Sequence, residues 1–412
     1  MRHTHVPLED LVELADSGTW GDEADETNGV PVLRSTNIQA GTLVLDDIAW
    51  RRIPDKDRTR RQLLDGDIIV TKSSGSADHI GKCCSFRQPR DGRAYYFSNF
   101  ILRLRVSARK VDQRWLFYWL TSPAGRHKLT RLNSTTTGLR NLDIPRYLQQ
   151  EIPVVPLADQ LTTCAILDKA AAIHRKRKEA IALTEELLRS AFLEMFGDPV
   201  TNPKGWPTIT LAEIADVNRG KFTPRPRNDP RFYGGEYPFI QTGDLTGATG
   251  YLLRWRQTLN KHGTLVSRGF PKGAIAITIA ANIGDTAIVD FDFWCPDSVV
   301  VIEPRAVPSE FLEFLMRFLQ PSLEAMAPET AQKNINLEVL RPLRIILPPK
   351  SAQERFAEFY KKAYITKQRQ AQAATESENL FSSLLDRAFR GKLTAPTSKS
   401  ASRPPKQLSL LE

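Results

Sequence analysis

Hydrophobic and polar positions along the chain fall into two stretches with the same internal order. Each opens on a short amphipathic segment, Leu8 to Ala15 and Leu211 to Val217, which predicts a helix. Strand-like runs rich in β-branched residues follow, at Ile68 to Thr71 and Phe100 to Val106, then at Ala274 to Ile279 and Ser298 to Ile302, with turn residues between them. A second amphipathic segment comes at Arg114 to Thr121 and again at Ser309 to Leu319. A proline-bearing stop, Ile152 to Pro156 or Leu347 to Pro349, then precedes a long helix.

The first long helix, about Ala158 to Phe196, sets Ile166, Ala170, Ile173, Ala180, Leu187 and Ala191 at helical steps, with Ile181, Leu188 and Met195 beside them. That is the stripe of a helix packed on another helix. The second, about Ala352 to Arg390, shows Phe356, Phe359, Ala363, Ala373, Leu380, Leu384 and Ala388, but Thr366 to Asn379 is mostly polar, so firm packing is expected only at its ends. Either helix would be roughly 55 to 60 Å long, too long to hide in its own small domain. The two are therefore expected to pair with each other, antiparallel.

Residue matches make the two stretches a duplication. Leu11-Val-Glu-Leu-Ala-Asp16 returns as Leu211-Ala-Glu-Ile-Ala-Asp216, a shift of 200 residues. In the same order, Pro31-Val-Leu33 with Thr36-Asn37-Ile38 faces Pro238-Phe-Ile240 with Gly243-Asp244-Leu245, and Asp65 to Val70 faces Pro271 to Ile277. Arg140-Asn141-Leu142 faces Ile335-Asn336-Leu337, and Ile152-Pro153-Val-Val-Pro156 with Gln160 faces Leu347-Pro348-Pro349 with Gln353. Finally Leu187-Leu188-x-x-Ala191-Phe192 faces Leu384-Leu385-x-x-Ala388-Phe389. Gly197-Asp198-Pro199 closes the first long helix, and the Ser- and Pro-rich segment after Leu393 reads as a disordered tail.

Composition narrows the function classes. The 412 residues are 41% hydrophobic and 25% charged, which is globular, with room for two or three domains. Fifty-seven Lys and Arg against 47 Asp and Glu leave +10, a balance that favours a polyanionic partner. No apolar run approaches the roughly 20 residues of a membrane span. Met-Arg-His-Thr-His leads into Glu9 and Asp10 without a signal-like segment, so a cytoplasmic location is expected. The four cysteines, Cys83, Cys84, Cys164 and Cys295, and the scattered histidines have neither zinc nor disulfide spacing. Gly75 to Lys82 has one residue too many for a phosphate loop and continues into Cys83. Neither Leu347-Pro-Pro-Lys350 nor Arg403-Pro-Pro-Lys406 can serve as an adenine methyltransferase motif. Asp297 and Glu303 echo a nuclease pair without its lysine, and strand capping is the expected role of these carboxylates.

Two variable regions, each closed by an Asn-Leu segment, an Ile-Pro-x-x-Pro-Leu or Leu-Pro-Pro block with a following Gln, and a long helix ending Leu-Leu-x-x-Ala-Phe, resemble the specificity subunit of type I restriction-modification systems. The likeness runs over about residues 5 to 393. The family's Pro-Pro-Leu-x-Glu-Gln stands here as Val155-Pro156-Leu157-Ala158-Asp159-Gln160 and Pro348-Pro349-Lys350-Ser351-Ala352-Gln353. The resemblance implies an α+β fold of two tandem globular target recognition domains joined by two long antiparallel coiled-coil helices. The expected boundaries are 1–155 for the first domain, 156–198 for the central helix, 199–350 for the second domain, 351–393 for the distal helix and 394–412 for the tail. It implies a chain with no catalytic site or metal of its own, each domain reading one half of a bipartite, asymmetric double-stranded DNA site. The helices would set the gap between the halves and dock two methyltransferase subunits, with restriction subunits added in the full complex. S-adenosylmethionine, ATP and Mg would belong to those partners.

Candidate readers lie in the loops, where polar side chains reach base edges and cations meet phosphate. In the first domain they are Arg34, Ser35, Thr36 and Asn37; Lys72, Ser73 and Ser74; and Thr135, Thr136, Thr137 and Arg140. In the second they are Lys221, Arg225 and Arg227; Gln241, Thr242 and Asp244; and Gln332, Lys333 and Asn334. Thr36-Asn37 and Thr242-Gly-Asp244 read equally as turns, because Asn and Asp bond their own backbone. The run His174-Arg-Lys-Arg-Lys178 sits mid-helix and reads as a solvated face or a surface for an acidic partner as readily as a DNA clamp. The rival classes are a coiled-coil scaffold without DNA specificity and the reader module of a type II-like restriction enzyme.

Overall fold

The computed structural model describes residues 3–39, 41–129, 133–136, 139–248, 250–279, 282–326 and 335–393. It is an α+β chain in two units, one taking Met1–Lys176 with Ala374–Glu412 and the other Arg177–Ala373. The expected tail, 394–412, lies outside the described residues.

In the first unit an antiparallel sheet runs Cys83–Ser85, Ile68–Thr71, Ile101–Val106, Val12–Ser17 in spatial order. Val30–Leu33 lies in a second sheet, antiparallel to Ala49–Arg52 and parallel to Tyr96–Phe97. Thr4–Pro7 pairs with Glu151–Val154. The helix Gln113–Thr121 begins at Asp112, whose carboxylate accepts from the Arg114 amide, and buries Trp115, Leu116, Tyr118, Trp119 and Leu120.

The second unit repeats this ladder for ladder. Thr286–Val289, Ile275–Thr278, Val299–Pro304 and Ala215–Arg219 follow one another in the corresponding order, and Tyr251–Leu252 adds a parallel strand beyond Thr286–Val289. Tyr233–Phe239 lies between antiparallel Gln257–Leu259 and parallel Phe293–Cys295. Thr208–Thr210 pairs with Arg344–Ile346. The helix Ser309–Met326 runs beyond the predicted Leu319 and carries Pro321 in its interior.

Two local expectations are corrected. The opening segments are single helical turns, Leu8–Leu11 and Leu211–Ile214, which pass at once into the strands Val12–Ser17 and Ala215–Arg219. Each strand pairs with a buried six-residue strand, Ile101–Val106 or Val299–Pro304, and that ladder outweighs the local helical periodicity. The Asn-Leu match is out of frame. Leu142 and Ile335 donate their amides to the equivalent carbonyls of Lys72 and Ile279, and the next residues, Asp143 and Asn336, cap the helices Ile144–Leu148 and Leu337–Leu340. Asp143 is therefore the counterpart of Asn336, since a cap needs a short side-chain acceptor of either type.

The long helices are Leu157–Phe196 and Lys350–Phe389, 40 residues each, and each contributes one half to each unit. In the first unit Cys164 and Leu167 share a core with Leu385 and Ala388, while Trp115 and Trp119 meet Phe389 edge-on at 4.9 and 5.2 Å. In the second, Leu188, Phe192 and Phe196 share a core with Phe356, Tyr360 and Ala363. Rising numbers on one helix meet falling numbers on the other, so within each unit the halves run antiparallel.

The seam keeps part of the predicted stripe, Ala170 and Leu188 on the first helix and Phe356, Ala363 and Ala388 on the second, but not all of it. Ile173 and Leu187 are 50% and 55% exposed, and the buried line runs through Thr163, Leu167, Ala170, Thr184, Leu188 and Phe192. Polar contacts continue it: His174 Nδ1 lies 3.2 Å from Ser377 Oγ, Arg177 donates to the Ala373 carbonyl, Thr184 Oγ1 donates to Gln370 at 3.0 Å, and Lys367 reaches Glu185 at 2.7 Å. The polar middle of the second helix is thus paired through side-chain hydrogen bonds, which a search for apolar periodicity does not register. His174 and Arg177 face that seam.

The Pro-to-Gln spacing has a mechanical origin. Gln160 and Gln353, 1% and 2% exposed, each donate Nε2 to the carbonyl five residues back, Val155 and Pro348, at 2.7 Å. A buried amide thus occupies a carbonyl exposed by the proline-bearing entry to each long helix.

Candidate nucleic-acid interface

Both units contain one closely packed corner, where the strand after the opening helical turn leaves the sheet. The Gly18 amide donates to Ile101 and the Thr19 amide to Phe97; in the second unit Gly220 donates to Val299 and Lys221 to Cys295. A Cβ at Gly18 would lie 1.9 Å from the Phe97 carbonyl oxygen, and one at Gly220 would lie 2.3 Å from that of Pro296. Only glycine permits this approach, and it brings two loops of each unit side by side.

In the first unit the corner touches predicted residues. Lys72 Nζ donates to Ser17 Oγ at 2.6 Å. Burial holds the Lys72 ammonium below its ordinary value, with the neighbouring Arg61 charge acting in the same direction. Ser73 and Ser74 form a short strand against Leu139–Leu142, which also pairs with Asn133–Thr136. The structure therefore joins Lys72, Ser73, Ser74, Thr135, Thr136 and Arg140 in one ribbon, with Thr135 opposite Arg140 and Arg140 opposite Ser74. Arg140 is exposed. Ser73 is 7% exposed and donates to Asn141 Oδ1 at 2.7 Å, so its hydroxyl holds the ribbon together. Ser74 Oγ accepts from the Ser76 amide. Thr137 lies outside the described residues.

The Arg34 to Asn37 segment is a separate turn. Asn37 is 3% exposed, accepts from the Arg34 amide at 2.7 Å and donates to the carbonyls of Val44 and Asp47, both at 2.9 Å. Its amide is fully used within the loop, which removes Asn37 from the readers. Arg34 pairs with Asp47 at 2.5 Å, leaving Ser35 and Thr36 at the turn's surface. Asp244 repeats the Asn37 role: its carboxylate accepts from the Gln241 amide at 2.9 Å, and it too is a loop organiser. Gln241 donates to Gln257, Arg256 stands 3.4 Å from Asp244, and Thr242 opens the one-turn helix Thr242–Leu245.

Lys221, Arg225 and Arg227 are exposed and share the loop that follows the Gly220 corner. Arg227 pairs with Asp297 at 2.6 Å, Arg225 stands 3.8 Å from the same carboxylate, and Arg219 donates to the Asp297 carbonyl. Asp297 is therefore not a strand cap; it gathers arginines, because the glycine corner holds the two loops together. Gln332, Lys333 and Asn334 lie outside the described residues. Sequence reading missed Arg219 and the corner itself, and gave Asp297 a different role. The available signal was a glycine following the Ala-Asp pair in each repeat, at Gly18 and Gly220.

Among the described residues no group of three or more His, Cys, Asp or Glu converges to hold a metal. Burial pushes the Cys83 and Cys164 thiols up to about 12, and Cys84 and Cys295 higher still, so these cysteines pack as thiols at neutral pH. No described helix is long and apolar enough to cross a membrane.

Residues 203–374 match the family described as type I restriction modification DNA specificity domain. Among curated proteins, the specificity subunit of the type I restriction enzyme EcoKI of Escherichia coli K12 is 22% identical over 177 residues, 42% of this chain and 38% of that protein. The StySPI specificity subunit of Salmonella potsdam is 23% identical over 173 residues, 40% of this chain and 37% of that protein. The matched regions thus span under two fifths of these relatives. Among solved structures, the type I restriction-modification S subunit from M. genitalium superposes with TM-score 0.60 at 12% identity, covering 94% of this chain and 96% of its own. A chain from a structure of the assembly and conformational transition of a type I system gives 0.53 at 20% identity, covering 95% and 98%.

Proposed function

We propose that the chain, whose residues 203–374 match a type I restriction modification DNA specificity domain and which shares the fold of type I specificity subunits over nearly its whole length, belongs with that family as the DNA-reading, non-catalytic member of such a complex. Each unit reads one half of a bipartite double-stranded site. The observation that carries this reading is the corner built twice with the same hydrogen bonds and flanked by different side chains. A Lys72 and Arg140 ribbon lies beside the first, and an Arg219, Lys221, Arg225 and Arg227 loop beside the second. One scaffold with two diverged rims suits two unlike half-sites, whereas a symmetric homodimer would require a palindrome.

Cations at the rims would neutralise phosphates or meet guanine edges, and Gln241, Ser35, Thr36 and Thr242, which lie at turns, would contact base edges. Methyltransferase subunits, two by the family's pattern, would dock on the long helices. Leu183 and Leu187, one turn apart and 62% and 55% exposed, supply apolar surface for that contact. Adenine methylation with S-adenosylmethionine, and restriction with ATP and Mg, would be carried out by the partner subunits.

A salt titration of duplex binding tests the reading. Affinity should fall with salt at a log-log slope of about −0.9 per phosphate contacted, and one bipartite sequence should retain tighter binding throughout. Absent or salt-independent binding, with the chain alone and with a methyltransferase partner, would favour a protein-only scaffold.

A further inference from the structure

The second unit's rim carries a carboxylate where a DNA reader gains nothing from negative charge. Asp297 lies opposite the loop that bears Lys221, Arg225 and Arg227, with Arg219 at the end of the adjoining strand. Its Oδ1 meets Arg227 Nη2 at 2.6 Å, its Oδ2 is 3.8 Å from Arg225 Nη2, and its carbonyl accepts from Arg219 Nε. The side chains of Arg225, Arg227 and Asp297 are 56%, 49% and 38% exposed. Ion pairs this exposed contribute little to stability, so folding alone does not account for the arrangement.

The backbone holds the cluster in place. Gly220 packs against the Cys295–Pro296 peptide, the Lys221 amide donates to Cys295, and Arg225 Nη1 donates to the Phe222 and Pro224 carbonyls at 3.0 and 2.8 Å. Tyr233 hydroxyl donates to the Arg227 carbonyl at 2.5 Å. Two guanidinium groups are thus directed at one carboxylate, a geometry that a phosphate can adopt in its place because both present paired anionic oxygens. A surplus of cations remains, enough to attract a polyanion but less than the arginines would present if unopposed.

We propose that Asp297 is a positioning residue that holds Arg225 and Arg227 aligned and partly neutralised until a backbone phosphate of the correct half-site displaces it. The proposal rests on the DNA-reading function above and adds a mechanism for discrimination. A phosphate has to compete with Asp297 for the arginines, so random sequence, lacking base contacts to support the exchange, binds weakly.

The test uses the full chain with its methyltransferase partner and a random-sequence duplex, titrated over a fourfold range of salt. Asp297→Asn should bind this duplex more tightly than the parent, with a slope steeper by about 0.9 for each phosphate gained, a divergence of about 3.5-fold per phosphate across that range. Asp297→Glu should behave as the parent. Asp290→Asn, which removes a carboxylate paired with Lys272 at 2.9 Å, should leave random-duplex binding unchanged. Arg227→Gln, at an exposed position, should make the slope shallower by about 0.9 on the cognate duplex. The proposal is overturned if Asp297→Asn binds random duplex no more tightly than the parent, if Asp290→Asn reproduces its effect, or if Arg227→Gln leaves the slope unchanged. If the parent itself shows no salt-dependent binding, the DNA-reading function and this proposal fall together; if it binds and Asp297→Asn does not differ, only the proposal falls.

Discussion

Replacing Phe192 by Ala should weaken the second unit and spare the first, although Phe192 belongs to a helix that begins in the first. Its ring is fully buried, with Phe196, Phe311, Phe314, Phe318 and Phe356 at centroid distances of 4.8 to 6.1 Å. Truncating such a side chain costs about 3 to 5 kcal/mol, and a fully buried ring with five ring neighbours should cost about 4. The reciprocal change, Phe389→Ala, removes two edge contacts from a half-buried ring and should cost the first unit about 2 to 3 kcal/mol. Hydrogen exchange of the full chain resolves the two. A loss of about 4 kcal/mol should speed exchange of Val299–Pro304 and Ser309–Met326 by roughly a thousandfold where exchange proceeds through opening of that unit. Exchange of Ile101–Val106 should be unchanged. If Phe192→Ala accelerates Ile101–Val106 as strongly as Val299–Pro304, the assignment of each helix half to a different unit is wrong.

Two further perturbations follow from buried polar groups. Glu313 is fully buried beneath Tyr360 and Thr286, which donate to it at 2.8 and 3.1 Å, and burial pushes its carboxyl from 4.5 to about 7 against the opposing pull of Arg317. The folded unit therefore holds a proton that the unfolded chain releases, so this contribution is full below pH 4.5 and is lost as pH rises through 7, worth about 3 kcal/mol in all. Urea unfolding of Glu313→Gln against the parent should show a gap moving in the variant's favour by about that amount between pH 5 and 8; parallel curves would contradict it. Asn37→Ala should cost about 2 kcal/mol in urea, since it strands the Val44 carbonyl and the Arg34 amide and leaves the Asp47 carbonyl to Arg34 Nη2 alone, whereas Asp244→Ala, losing one amide contact, should cost about 1. Equal costs would count against the difference in loop anchoring.

The duplication was legible in the sequence because several of the repeated blocks have a repeated physical task. The Pro-to-Gln spacing exists for a buried amide to reach a stranded carbonyl, and the Ala-Phe helix ends exist to fill an aromatic core. The short opening helices were misread because pairing with a distant strand is invisible to local periodicity. The seam was legible only in part because half of it is polar: Ser377, Thr184 and Glu185 do what leucines do elsewhere, while Leu183 and Leu187 face outward. The site was only half legible. Lys72, Arg140, Arg225 and Arg227 stand out as loop cations, but Asn37 and Asp244 look like readers and prove to be spent on their own turns. Asp297, an acid among loop arginines, is brought to them by the close approach at Gly220, some eighty positions away.

The central claim is that the two units read DNA independently, and a domain exchange tests it most directly. Residues 205–350 would be replaced by those of another family member and methylated adenines mapped across the genome in cells carrying the partner subunits. One half of the methylated sequence should change while the other stays as it was. A change in both halves, or in neither, would contradict the account.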